Sequence, residues 1–238
     1  MRIEWLDECV STNTQVTEYP LSEEGVIVAA RCQTGGRGQK GNSWEAQPGK
    51  NLTFSAMWKP RGIAAREQFS ISEAVALAVV DFLEDAGINA KVKWPNDIYV
   101  DDRKICGILI EHSVMGTEIS RTIAGVGINV NQREFLSGAP NPVSMASIAG
   151  TEFPTERLLD SHLRAYPSTV RIFPVFASLS LIKCKFNQIP PDIKNSTSLK
   201  AYLHVSPVSA FSTCRKPIGS TPLTIPGYDS PDSLTRKG

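Results

Sequence analysis

The run KVKWPNDIYVDDRKICGILIEHSVMGTEISRTIAGVGINV, residues 91 to 130, decides the fold. It divides into three strand candidates: Lys91–Val100 with a kink at Pro95, Lys104–Val114, and Ile119–Val130. Asp101-Asp102-Arg103 and Met115-Gly116-Thr117 separate them, and connections this short read as hairpin turns. Working outward, Ile71, Ala74, Val75, Ala78, Val79, Phe82 and Leu83 fall at helical spacing, with Gly87 as the stop. Before that helix, Leu52, Phe54, Ala56 and Trp58 alternate with Thr53, Ser55 and Met57, which predicts a strand. Val26–Ala30 is wholly apolar and reads as a buried one. Ser11-Thr12-Asn13-Thr14 offers N-cap side chains for a short helix ending near Tyr19-Pro20. Downstream, Thr155–Tyr166 reads as a last helix with Leu158, Leu159 and Leu163 inward. Hairpin strands around few helices predict an α+β fold with a mixed, mostly antiparallel sheet flanked by helices.

Composition narrows the function classes. Over 238 residues, 25 Lys+Arg face 24 Asp+Glu, a balance that argues against a dedicated nucleic-acid binder. No apolar run is long enough for a membrane span, and the first residues are no signal peptide. Cys9, Cys32, Cys106, Cys184 and Cys214 are scattered and never form a C-x-x-C pair. That pattern excludes a disulfide framework and a zinc knuckle and fits a reducing, cytoplasmic setting. Three His without a cluster exclude a His-rich metal site.

The average hides a split. Residues 1–162 hold 15 basic and 21 acidic residues, whereas 163–238 hold 10 and 3, with no Glu, nine of the 16 Pro and no sustained period. A frameshifted or chimeric reading frame would produce this change; a basic disordered arm is the other reading. The domains expected are therefore 1–163 and an atypical Pro/Ser-rich basic tail, 164–238.

Two motifs carry chemistry. In Gln33-Thr34-Gly35-Gly36-Arg37-Gly38-Gln39-Lys40-Gly41-Asn42-Ser43-Trp44, four glycines within seven residues let the backbone approach a ligand, while Arg37 and Lys40 supply charge for an anion. Gly36-x-Gly38-x-x-Gly41 matches the dinucleotide fingerprint in form only. The residues after it cannot continue a helix, and no acid follows at the required distance. A P-loop is absent too. In Lys93-Trp94-Pro95-Asn96-Asp97, with Lys104 seven residues on, a cation, an amide and a carboxylate meet at one bend; such a set suits a phosphate and a hydroxyl, amine or Mg²⁺. Gly125-Val126-Gly127-Ile128-Asn129 is a weaker third, with Asn129 at a strand end.

In this order the segments Ser11-Thr12-Asn13, Gln33…Gly36-Arg37-Gly38…Trp44, Lys93-Trp94-Pro95-Asn96-Asp97, Lys104…Gly107-Ile108-Leu109 and Gly125…Gly127-Ile128-Asn129 closely resemble the catalytic domain of biotin–protein ligases (biotin–[acetyl-CoA-carboxylase] ligases), over roughly residues 1–163. The resemblance implies a biotin/lipoate ligase-like, class II synthetase-like domain. It implies formation of biotinyl-5′-AMP from biotin and ATP with Mg²⁺, then transfer of biotin to a lysine of a biotin carrier protein or domain. It places Ser11, Thr12, Asn13, Gln33, Arg37, Gly38, Gln39 and Lys104 at biotin, Gln39 standing where some relatives have a second Arg. Arg37, Trp44, Lys93, Asn96, Asp97, Lys104 and Asn129 fall at ATP or the adenylate, with Lys93 and Arg37 as the catalytic candidates. No metal-ligating side chain is implied. A DNA-binding helix-turn-helix domain and membrane attachment are not expected, and a homodimer is compatible with the family. The family's closing SH3-like barrel is not expected in 164–238. The alternatives are a lipoate–protein ligase, which shares the chemistry, and a ligand-binding remnant without turnover.

Overall fold

The computed structural model describes residues 2–22, 25–136 and 141–165; the expectation for the tail lies, from residue 166 on, outside the described residues. The strands are β1 (Arg2–Cys9), β2 (Val26–Gln33), β3 (Leu52–Trp58), β4 (Lys91–Lys93), β5 (Asp97–Val100), β6 (Arg103–Met115) and β7 (Glu118–Ile128). They form one sheet in the order β1-β2-β3-β7-β6-β5-β4. β1 and β2 pair in parallel and every other neighbouring pair is antiparallel, which is the mixed, mostly antiparallel sheet the hairpins predict. The helices are α1 (Thr12–Gln15), α2 (Gln68–Asp85), α3 (Met145–Ala149) and α4 (Thr155–Ala165).

The two sheet faces are chemically different. On one, Leu52, Phe54, Ala56 and Trp58 of β3 and Ala124, Val126 and Ile128 of β7 join Ile71, Val75, Val79, Phe82 and Leu83 of α2 in the main core. Ile71, Val75 and Leu83 are fully buried, each contributing about 1.5–3 kcal/mol of burial. Gly87, at φ 77°, ends α2 with its N–H on the Glu84 carbonyl, a left-handed stop only glycine takes without strain. Leu159 of α4 is buried in the same core and Leu158 packs partly against it; the Leu163 side chain lies outside the described residues. Arg31 of β2 anchors α4 through Glu156, at 2.7 Å. On the other face, Thr53 and Ser55 of β3 and Gly125 and Gly127 of β7 lie under α1 and the 33–44 loop. Met57, farther along this face, packs with Val16, Val26, Val28 and Ile123 in a second small core, so all seven β3 residues are buried although the strand alternates.

Three elements differ from expectation. Lys91–Val100 is two strands, not one kinked strand: Lys91 pairs with Tyr99 and Lys93 with Asp97, so the chain reverses at Trp94-Pro95-Asn96. Asn96 fixes that reversal by exchanging bonds with Ile108, Nδ2 to its carbonyl at 3.0 Å and Ile108 N–H to the Asn96 carbonyl at 2.9 Å. β1 carries no strand signal in the sequence, because as an edge strand it is only half-buried and shows no clean alternation. α3 is five residues, too short to show a helical period, and its signal is the Ser144 cap on Ser147 N–H. Ser11 occupies the N-cap position of α1, but its side chain makes no capping bond.

Candidate functional site

A cavity of about 480 Å³ opens on the glycine-bearing face of the sheet. The start of α1, the end of β2, the 37–44 loop, Thr53 of β3, the Trp94–Asp97 turn, Lys104 and the middle of β6, and the last residues of β7 line it. Its walls divide into a neutral hydrogen-bonding part and a cationic, aromatic part.

The neutral part is a chain of buried, uncharged polar side chains that ends outward at the exposed Glu111–Arg37 ion pair. Thr12 donates its backbone N–H to Gln33 Oε1 at 2.7 Å. Ser55 Oγ donates to Asn13 Oδ1 at 2.6 Å and lies 2.7 Å from Thr12 Oγ1. Ser55 has one proton, so the Thr12 hydroxyl is the donor in that second contact. Asn13 Nδ2 donates to Glu111 Oε2 at 2.7 Å, and Glu111 Oε2 also accepts from Arg37 Nη2 at 3.1 Å. Ser11, Thr12, Asn13 and Ser55 are all buried, where an unmet polar group is costly. Gly125 makes room for this cluster: a Cβ there would stand 2.1 Å from Asn13 Oδ1.

The aromatic part rests on two more glycines. Gly107 and Gly127 are cross-strand partners, and Trp44 lies on them. A Cβ on Gly127 would meet Trp44 Cε2 at 2.3 Å, and one on Gly107 would meet Cζ3 at 2.9 Å. Trp44 Nε1 is buried without a hydrogen-bond partner among the described residues. Lys104 Nζ stands 5.9 Å from the Trp44 ring and 2.7 Å from Asp97 Oδ1. The loop carrying Trp44 folds on itself: Gly38 N–H donates to the Asn42 carbonyl at 2.7 Å and Trp44 N–H to the Gly36 carbonyl at 2.9 Å. Gly36 is needed for that closeness, since a Cβ there would be 2.6 Å from the Trp44 carbonyl oxygen.

Of the residues singled out in the sequence, Ser11, Thr12, Asn13, Gln33, Arg37, Gly38, Gln39, Trp44, Asn96, Asp97 and Lys104 line this one cavity. Lys93 and Asn129 are not among its lining residues. Lys93 shares the sheet face of Asp97 but sits on the edge strand, and its ammonium turns back onto Tyr99, 3.1 Å from the hydroxyl and 4.3 Å from the ring centroid. That hydrogen bond favours the charged ammonium and raises the Lys93 pKa above its ordinary value. Asn129 is buried as a backbone clamp, donating Nδ2 to the Val143 carbonyl at 3.1 Å and reaching the Lys104 carbonyl at 3.4 Å. Sequence reading missed Ser55 and Glu111. Ser55 sits on the polar phase of alternating β3, and that phase is its signal; β6 does not alternate around Glu111, where Ile108-Leu109-Ile110 precede it, so the sequence offers none there.

Residues 7–129 match the biotin/lipoate A/B protein ligase family, and the chain belongs to it. It is 36% identical over 129 residues to the bifunctional ligase/repressor BirA of Bacillus subtilis, a match covering 52% of this chain and 39% of that protein. To the biotin–[acetyl-CoA-carboxylase] ligase of Paracoccus denitrificans it is 32% identical over 164 residues, covering 63% and 65% of the two chains. The solved structure of biotin protein ligase from Aquifex aeolicus in complex with biotin and ATP superposes with a TM-score of 0.59 at 30% identity, over 68% of this chain and 67% of that one. The chain thus spans about two-fifths of the length of its Bacillus relative.

Proposed function

We propose that this protein is a biotin–protein ligase, joining biotin to AMP at the expense of ATP and passing it to a lysine of a carrier protein. The observation that carries the reading is one cavity with a neutral hydrogen-bonding part beside a cationic, aromatic part. The two rest on Gly125 and Gly127, residues two apart on β7 and so about 7 Å apart on one face. An uncharged ureido ring suits the amides and hydroxyls of Ser11, Thr12, Asn13 and Gln33. A purine suits Trp44, and a phosphate suits Lys104. Aquifex aeolicus biotin protein ligase, whose fold this chain shares, holds biotin and ATP together.

In the first step the biotin carboxylate oxygen attacks the α-phosphorus and pyrophosphate departs; in the second, the carrier lysine's amine attacks the acyl carbon and AMP departs. Neither step needs a nucleophile from the protein, so catalysis is alignment and charge neutralisation. The phosphate role expected of Lys93 is assigned here to Lys104, which lines the cavity beside Trp44. Arg37 would exchange Glu111 for the ligand's negative charge as the loop closes. Among the described residues no three His, Cys, Asp or Glu side chains gather as metal ligands, and Asp97, which lines the cavity, is paired with Lys104. Mg²⁺ that accompanies a nucleotide needs only one or two carboxylates; Asp97 is the lining residue that would hold it, on release from Lys104, and no step is assigned to the ion. No described helix is long and apolar enough to cross a membrane, and a cytoplasmic setting belongs to the proposal. So does a catalytic domain ending near residue 163, within α4.

The test is ATP–pyrophosphate exchange by the full chain. Exchange that requires biotin, and that lipoate does not support, is the expected result; exchange driven by lipoate alone would move the assignment to that substrate, and none with either acid would end it.

A further inference from the structure

We infer that Lys40 is the cation that holds the outer phosphates of ATP, an assignment that rests on the ligase reading above. Three cationic side chains line the cavity: Arg37, Lys40 and Lys104. Two of them already face a carboxylate, Arg37 at 3.1 Å from Glu111 and Lys104 at 2.7 Å from Asp97. Lys40 forms no ion pair among the described residues. The positive charge that the cavity offers without displacing an internal partner is therefore that of Lys40.

The backbone holds this lysine in an unusual way. Lys40 has φ 54° and ψ 35°, in the left-handed region, and Gly41 follows at φ 82°. A side chain in that region is disfavoured, and glycine would take the position without cost. The tight Gln39–Gly41 turn, closed by the Gly38–Asn42 bond, keeps it there and leaves the side chain exposed at the tip of the loop. Strain kept at a ligand-lining position points to use of the side chain.

The order of groups along a nucleotide fits the order of residues. With the base at Trp44, the α-phosphate lies near Lys104, 5.9 Å from the indole centroid. The β- and γ-phosphates are then left for the remaining lining cation, Lys40, which is exposed on the same loop as Trp44. They leave together as pyrophosphate when the biotin carboxylate takes the α-phosphorus, so a cation there stabilises the leaving group. AMP and biotinyl-AMP lack both phosphates, and Lys40 separates substrate from product.

The experiment compares wild-type, Lys40→Gly and Lys40→Arg full-length chains by titration calorimetry with ATP and with AMP, alongside the exchange assay. Glycine accepts φ 54°, so the first variant removes the charge without adding strain. Lys40→Gly is expected to weaken ATP binding about tenfold and AMP binding less than about twofold, with Lys40→Arg restoring ATP to within about threefold. In exchange, KM for ATP should rise with the KM for biotin unchanged. Equal weakening of ATP and AMP, or unchanged ATP binding in Lys40→Gly, overturns the assignment while leaving biotin-dependent exchange to support the ligase. Lys40-dependent ATP binding without biotin-dependent exchange in the wild type supports the assignment and removes the ligase reading instead.

Discussion

Lys104 owes its position to its backbone before its charge. Its N–H donates to the Asn141 carbonyl at 2.9 Å, its carbonyl accepts from Val143 N–H at 2.9 Å, and Asn129 reaches the same carbonyl. A lysine so anchored reaches the cavity with only its side-chain torsions free, which is what preorganised charge requires. Lys104→Ala should slow biotin-dependent exchange by roughly 10²–10³, read as a fall in kcat with the KM for biotin little changed. Lys93→Ala, by contrast, should change exchange only a few-fold, since its ammonium is engaged by Tyr99. The reverse ranking in a side-by-side assay would return the phosphate role to Lys93. Ser55 tests the neutral part. Ser55→Ala removes the donor to Asn13 and the acceptor for Thr12 in a buried cluster, a loss of about 1–3 kcal/mol. We expect a raised KM for biotin with the KM for ATP unchanged, and equal rises in both would mean the cluster only supports the fold. These residue-level roles were partly legible. Glycines, an Arg and a Trp in one loop marked a ligand, whereas the direction of Lys93 depended on a Tyr99 contact that sequence spacing does not encode.

At the scale of elements, the long periodic ones were read correctly and the short or edge ones were not. α2 shows its apolar stripe over five turns, and the β6–β7 hairpin shows its Gly116 turn at φ 64°. The β4–β5 reversal escaped because a proline within an apolar-polar run marks a bend without saying how far the chain turns. α2 also carries a titration that no motif announces. Burial pushes the Glu73 carboxyl up to about 7, since desolvation disfavours its charged form. A folded-state pKa above the unfolded one means the native state binds more protons between the two values. This group's contribution is therefore fully present below about pH 4.5 and lost as pH rises through about 7. Glu73→Gln should remove that slope: the variant gains Tm relative to wild type at pH 8, with the difference shrinking towards pH 4. A parallel pH dependence in the two chains would show that Glu73 is solvated.

Across the described sheet, one face packs the main core, while the other carries the site beside a small second core of Val16, Val26, Val28, Met57 and Ile123, and a single strand such as β3 serves both faces. Leu52, Phe54, Ala56 and Trp58 pack against the helices while Thr53 lines the cavity and Ser55 supports its lining residues Thr12 and Asn13, so one residue of register shift would exchange core for site. Stability and ligand affinity should then separate by face. Leu83→Ala, deep in the helix-side core, should cost about 2–5 kcal/mol in denaturant unfolding and leave the KM values of the surviving folded protein unchanged. Gly127→Ala faces the other way. Its methyl would fall 2.3 Å from Trp44 Cε2 and 2.6 Å from Nε1, so the indole must leave its floor. That variant should raise the KM for ATP about tenfold, with the KM for biotin less affected because Asn13 stands over Gly125 instead. The two substitutions share no contact, so the double variant should show both effects added within about 0.5 kcal/mol. Strong coupling between them in unfolding measurements would mean that Trp44 is part of the core, and the division of the sheet into a structural and a chemical face would not hold.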